Sequence, residues 1–296
     1  VVTGTASTGT IHVGDPLVLQ PKSLEVRVRE LRANDVMVKS AAAGQRVALC
    51  LAGKVELGDI DRGDCLVEPS LDQLSHRLDV QLSLLSDAPT ALKHLSPAKL
   101  YIGAGRVSAK VALIENAISS LAPGQTKMAQ LILDSPISAY SGERFVLRDD
   151  SESFHLGGGV ILDPNGPQYG KAKPERLTWL SALATGSTDT ALRDLLASDR
   201  TIAWSDLTRA FHLKEGAALP SLPDTAVKFD LQQSTWITTR NAISAARQAL
   251  LDALSDEKAQ ASDSRGVPKE KLMKLAGKTS NRALLEATLT LSLIHI

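Results

Sequence analysis

Ala42-Ala43-Gly44-Gln45-Arg46-Val47-Ala48-Leu49-Cys50-Leu51-Ala52-Gly53, with Arg62-Gly63-Asp64-Cys65-Leu66 shortly after it, decides how the first part of the chain is read. A glycine turn delivers the backbone into an alternating strand whose polar members, Gln45 and Arg46, stand at its start. Around it lie further short alternating runs, Leu17-Val18-Leu19 and Glu25-Val26-Arg27-Val28-Arg29, punctuated by Gly4, Gly9, Gly14, Gly53, Gly58 and Gly63. Strands of a few residues separated by glycine turns predict a small antiparallel barrel or sandwich. Its domain is expected to span residues 1–72.

The same period continues through Leu78 to Leu82, Gly105 to Val111, Met128 to Leu133, Phe145 to Arg148 and Gly159 to Leu162, bounded by breaks at Pro136, Gly142 and Asp149-Asp150. These predict a second all-β unit over 73–165. Pro164-Asn165-Gly166-Pro167 and Lys171-Ala172-Lys173-Pro174 then form a linker, 166–175, and the apolar period changes from two to 3.6. The barrels are expected to pack as a unit through their short link, and proteases to nick first near Lys171 or Lys173. Leu192, Leu195 and Leu196 share a helical face; Ser205 is the expected N-cap of a helix to Phe211. Short helices followed by an extended pair at Ala226 to Phe229 suit a winged-helix module over 176–236. A longer helix from Thr239 to Ser255, with Ile243, Ala246, Leu250 and Leu254 on one stripe, opens a second over 237–290. Its Pro268–Ala276 helix, Gly277 stop and new start at Ser280 have helix-turn-helix spacing. Residues 291–296 fit neither module and read as an artefactual tail. The opening Val1-Val2-Thr3-Gly4-Thr5 has no Met, basic region or apolar leader, which predicts a start inside a strand with further sequence upstream.

Lys and Arg number 33 and Asp and Glu 33, a balance that argues against a strong phosphate binder overall. The one local excess is at 265–282, where Arg265, Lys269, Lys271, Lys274, Lys278 and Arg282 face Glu270 alone within that window. It reads as a solvated face or a weak RNA contact. No window approaches the roughly 18 apolar residues of a membrane helix, so no membrane partner is expected. The histidines show no metal-ligand spacing, so no metal site is expected. Cys50 and Cys65 form no disulfide framework and are expected to be buried thiols in a reducing cytoplasm. There is no G-x-x-x-x-G-K-[ST] loop, hence no expected nucleotide site or catalytic residue in this chain. His155-Leu156-Gly157-Gly158-Gly159 has no nucleophile elbow to serve and reads as glycines turning into a strand. Aromatic platforms for base stacking are scarce. Arg46 is the candidate that remains: a guanidinium for a carbonyl, phosphate or anionic side chain. The plainer reading of the residues alone is a rim arginine paired with Asp35 or Asp64.

Taken in order, Val1 to Thr5, Val13-Gly14-Asp15, Ala43 to Gly53, Arg62-Gly63-Asp64, Arg144 to Asp149 and Gly157 to Pro164 resemble the second and third domains of translational GTPases. Lys173-Pro174-Glu175-Arg176-Leu177-Thr178-Trp179-Leu180, opening helical modules where elongation factor Tu stops, makes the chain resemble the bacterial selenocysteine-specific elongation factor. That resemblance implies a multi-domain chain of two all-β barrels, translation-factor domains two and three, followed by α-rich winged-helix modules. It implies delivery of selenocysteinyl-tRNA to the ribosome at recoded UGA codons, with a selenoprotein mRNA hairpin gripped by modules beyond this chain. The GTPase domain, with GTP and Mg, would lie upstream. Gly44, Gln45 and Arg46 would line the selenocysteinyl pocket, and Arg106, Lys110 and Lys127 would contact the tRNA backbone. Lys271, Lys274, Lys278 and Arg282 would form a weak RNA-contact face. Two other readings compete: a translational GTPase of the initiation-factor gamma type, which would not continue into several winged helices, and a winged-helix regulator, which would need a basic recognition helix.

Overall fold

In the computed structural model, all residues are described except 70–73, 115–118, 212, 214–217, 261–266, 278–280 and 294–296. The chain forms two compact units, Val1–Lys171 and Ala172–Ile296.

The first unit opens with β1 (Val2–Thr5), β2 (Thr10–His12), β3 (Pro16–Gln20), β4 (Leu24–Ala33), β5 (Val36–Met37), β6 (Ser40–Ala42), β7 (Arg46–Gly53) and β8 (Cys65–Val67). The main sheet runs β1-β7-β4-β3-β8, with β5 beside β4, and β2 pairs with β6 as a separate ribbon. It is an open sheet where a closed barrel was one expectation. The alternation of β4 is interrupted by a bulge: Val28 pairs with Leu51 but Glu30 with Cys50, leaving Arg29 as the extra residue. Val26 and Val28 before it, and Leu31 and Ala33 after it, therefore all point into the core, whereas strict alternation would have turned Leu31 outward.

The second half of the unit is a closed barrel of β9 (Ser75–Leu84), β11 (Ser96–Ile102), β12 (Gly105–Leu113), β14 (Thr126–Ile137), β15 (Arg144–Asp149) and β16 (His155–Asp163), with β10 (Leu92–Lys93) pairing β13 (Ser120–Leu121) outside it. Its inward rows, including Leu78, Val80 and Leu82 of β9, Leu100, Val111, Leu131, Leu147 and Ile161, are almost wholly buried. Gly157, Gly158 and Gly159 are the pinch that closes it. A Cβ at Gly159 would lie 1.9 Å from the Gln81 carbonyl oxygen, and one at Gly157 would lie 2.1 Å from that of Ser83. The glycine run thus serves close strand approach.

Residues 165–167 are tied to this barrel. Asn165 bridges Arg77, and the Gly166 N–H donates to the Arg77 carbonyl at 2.9 Å. Gln130, fully buried, donates from Nε2 to Asp79 Oδ1 at 2.8 Å and to the Pro167 carbonyl at 3.0 Å. The linker is therefore fastened through Pro167, and further on the Lys171 ammonium is shifted below its ordinary range by burial and by Arg77 while Asp79 opposes the shift.

The second unit comprises α1 (Pro174–Leu183), α2 (Thr188–Ala197), β17 (Ile202–Ala203), α3 (Trp204–Ala210), β18 (Ala226–Leu231), β19 (Ser234–Thr239), α4 (Arg240–Gln260), α5 (Lys269–Ala276) and α6 (Arg282–Leu293). Leu192, Leu195 and Leu196 are buried as their spacing predicts. The expected cap at Ser205 is not formed: α3 starts at Trp204 with Ala203 as N-cap and no side-chain bond. Strand β17 runs straight into that helix, so its first turn is anchored by sheet pairing instead. Thr239 accepts from the Ala242 N–H at 3.1 Å at the head of α4, and Ala246, Leu250, Leu272, Met273 and Leu285 make the core of the last three helices. Leu291 to Leu293 complete α6; residues 294–296 of the expected tail lie outside the described residues.

Candidate functional site

Gly44 takes φ +88°, in the left-handed region that favours glycine, and its N–H donates to the Ala6 carbonyl at 2.8 Å. Gln45 closes the same turn, because its Oε1 accepts from the Ala42 N–H at 2.7 Å. Two of the three expected pocket residues thus build the turn that presents the third. Arg46 begins β7 opposite Thr5 and is exposed. Among the described residues it forms no ion pair or side-chain hydrogen bond, so the alternative pairing with Asp35 or Asp64 is not made. Asp64 instead accepts from the Asp61 N–H at 2.8 Å. A shallow, open groove of about 590 Å³ elsewhere on this domain is lined by residues of 12–13, 29–30 and 37–39, and neither Gly44, Gln45 nor Arg46 is among them.

The expected tRNA-backbone residues do not share one face. Arg106 and Lys110 alternate with buried Val107, Ala109 and Val111 and so project outward from β12. Lys127 pairs with inward-facing Leu82 and has the parity of Ala129 and Leu131, which places it at the rim of the barrel interior. Arg106 is engaged with Glu152 at 2.8 Å, a carboxylate that also accepts from Tyr101 Oη at 2.5 Å and is held below its ordinary range chiefly by that tyrosine.

The basic stretch of the second unit is also largely engaged. Lys271 pairs with Glu257 of α4, Lys269 with Glu286 of α6 at 3.1 Å, and Arg282 with Glu270 at 3.6 Å. Glu257 and Glu286 lie outside the window whose charge was counted, so the excess is smaller in space than in sequence. Lys274 remains exposed, and Lys278 lies outside the described residues.

Both cysteines depart from expectation. Cys50 is half-buried and Cys65 exposed, because Val47 and Leu49 take the inward parity of β7 and Cys50 the outward one. Among the described residues no cluster of His, Cys, Asp and Glu could hold a metal ion.

A junction that carried no sequence signal joins the two β domains. Tyr140 hydrogen-bonds Ser7, Cys65 hydrogen-bonds Ser138, and a Cβ on Gly63 would lie 2.7 Å from the Gly105 Cα. Burial pushes the Glu143 carboxyl there up to about 7, opposed by the Tyr140 N–H, which donates to it at 3.4 Å. Burial, and then Glu143, also raise the Tyr140 phenol. The folded state holds the Glu143 proton more tightly than the unfolded chain, whose ordinary value is 4.5, so stability falls as pH rises from about 4.5 through about 7. With screening of a half-buried group allowed for, the loss is on the order of 1 kcal/mol. Thermal melts of Glu143→Gln are expected to flatten that part of the pH profile and to exceed wild type at pH about 8. An unchanged profile would show that the carboxyl is solvated.

Residues 75–168 match the family described as "Selenocysteine-specific elongation factor, beta-barrel domain". A selenocysteine-specific elongation factor of Escherichia coli (strain K12) is 32% identical over 290 residues, covering 96% of this chain and 44% of its own. That of Haemophilus influenzae is 27% identical over 281 residues, covering 93% and 43%. The crystal structure of a bacterial selenocysteine-specific elongation factor EF-Sec superposes with a TM-score of 0.66 at 20% identity, over 97% of this chain and 47% of that one, a likeness of fold. The chain thus spans less than half the length of these relatives.

Proposed function

We propose, for a chain that belongs to the selenocysteine-specific elongation factor family, that it forms the two β domains and the first helical modules of a GTP-dependent factor carrying selenocysteinyl-tRNA to the ribosome. The observation that supports this best on the molecule itself is Arg46: an exposed guanidinium at a strand start, held out by the Gly44–Gln45 turn and meeting no carboxylate among the described residues. A selenol is ionised at neutral pH where a serine hydroxyl is not. An arginine at the aminoacyl side chain therefore favours selenocysteine by charge, while a neutral pocket of the same size would separate two near-isosteres poorly. The helices and the β17-β19-β18 sheet of the second unit suit winged-helix modules, α1 to β19 forming the first and α4 to α6 opening the next. The mRNA hairpin would be held by modules beyond them.

The segment contains no G-x-x-x-x-G-K-[ST] stretch and, among the described residues, no carboxylate cluster for a cation. GTP and Mg²⁺ do not fit here and, on this proposal, are held by the GTPase domain of the complete protein. What this chain contributes is binding and discrimination. Among the described residues no helix is long and apolar enough to cross a membrane; work in the cytoplasm is part of the same proposal.

In the complete protein containing this segment, Arg46→Ala is expected to reduce discrimination between selenocysteinyl- and seryl-tRNA by about ten- to a hundredfold, the worth of one charged contact. Binding titrations of the two tRNAs measure it. Equal weakening for both, or a large fall in melting temperature, would assign Arg46 to the scaffold instead.

A further inference from the structure

We propose that Arg32 is a second anion-holding residue of the Arg46 face, taking a backbone phosphate at the RNA 3′ end whose aminoacyl side chain Arg46 reads; this rests on the pocket reading above. The β4 bulge creates the arrangement. Without the extra residue Arg29, Arg32 would have the parity of Val26 and Val28 and point into the core; with it, Arg32 turns outward. There it stands directly across from Ala48, whose other neighbour is Thr3, while Arg46 and Thr5 form the next row on the same face. Arg32 and Arg46 are thus diagonal neighbours about 7–8 Å apart at their strand positions.

Four features make this face a site for anions. The central residue, Ala48, is small, leaving a trough. Arg32 stands on one side of it and the exposed Thr3 on the other, and Arg46 with the exposed Thr5 closes it one row along the strand. Neither guanidinium meets a carboxylate or a side-chain hydrogen-bond partner among the described residues, whereas Arg27 donates to the Gly14 carbonyl at 2.8 Å and Arg106 is engaged with Glu152. Two like charges held on adjacent strands repel, and a ligand carrying two negative groups relieves that. In a nucleotide esterified by an amino acid with an ionised side chain, the two groups are the phosphate and the side chain, joined through one ribose. The planar fork of Arg32 suits the phosphate bidentately.

The test titrates this 296-residue chain with an RNA minihelix ending in CCA, following fluorescence anisotropy over a KCl series from low ionic strength. Arg32→Ala is expected to weaken binding about five- to twentyfold at the lowest salt and to reduce the log–log salt slope by about one, for acylated and deacylated RNA alike. Arg32→Lys should keep the slope, and circular dichroism should be unchanged because the side chain is exposed. An Arg32→Ala slope equal to wild type, beside a loss in Arg46→Ala, overturns the Arg32 assignment and leaves the pocket reading standing. An effect confined to acylated RNA overturns the phosphate assignment. No binding by the wild-type chain at the lowest salt overturns the RNA reading of the whole face.

Discussion

Replacing Gly159 by alanine is expected to cost the β-barrel at least about 3 kcal/mol and to lower its melting temperature by more than about 10 °C. The new methyl would sit 1.9 Å from the Gln81 carbonyl oxygen and 2.9 Å from its carbonyl carbon. Both are backbone atoms of β9, which β16 must pair to close the cylinder. No side chain can rotate away, so relief requires β16 to leave β9, and with it the pairing that joins the β15 side of the barrel to the β14 side. Gly4→Ala is the matched control. That glycine also lies in a strand, but a Cβ there meets nothing within 4 Å, and its melting temperature should stay near wild type. Calorimetry showing Gly159→Ala as stable as Gly4→Ala would contradict the closed barrel.

Gln130→Ala is expected to act on both stability and proteolysis. Its Nε2 supplies donors to a fully buried Asp79 and to the Pro167 carbonyl. Removing it leaves a carboxylate short of a donor in the interior, a loss of about 3 kcal/mol. The strap at 165–167 then loses the fastening nearest Lys171. The Lys171–Ala172 bond is the one to follow with trypsin, since Lys173 precedes Pro174 and is a poor site. Cleavage after Lys171 should be slow in wild type and at least about tenfold faster in the variant, because local opening sets the rate. Equal rates would mean that the buried amide does not hold the strap.

Much of this architecture was legible because half-buried strands print a period of two and helices a period of 3.6. The runs around Leu17, Val47, Leu78 and Leu131 all became strands, and the Ile243–Leu254 stripe lies along the core side of α4. What escaped has a common cause in events that leave the local pattern intact. One extra residue at Arg29 reversed the face of everything after it, so Arg32 could not be placed beside Arg46 from spacing alone. Parity alone, without knowledge of which face is covered, also misjudged Cys50. The basic window at 265–282 looked unbalanced because Glu257 and Glu286 reach it through tertiary packing. At the candidate site, Gly44, Gln45 and Arg46 were legible as a turn and a strand start, but their division into builders and reader depends on the bond from Ala42 to Gln45. The Glu143 junction had no signal, since its partners come from positions far apart in the chain.

The contact of Gly63 with Gly105 sets a limit on how the two β domains can move. Where domains meet through side chains, rotamers give the joint some play, and a few degrees of swing cost little. Two α-carbons in contact have no rotamers. Gly63, at φ +106°, sits in a turn that favours glycine, so at this point the domains already meet backbone to backbone and any side chain here would have to push them apart. The joint thus has a hard stop in one direction, set by the main chain and out of reach of any rotamer change.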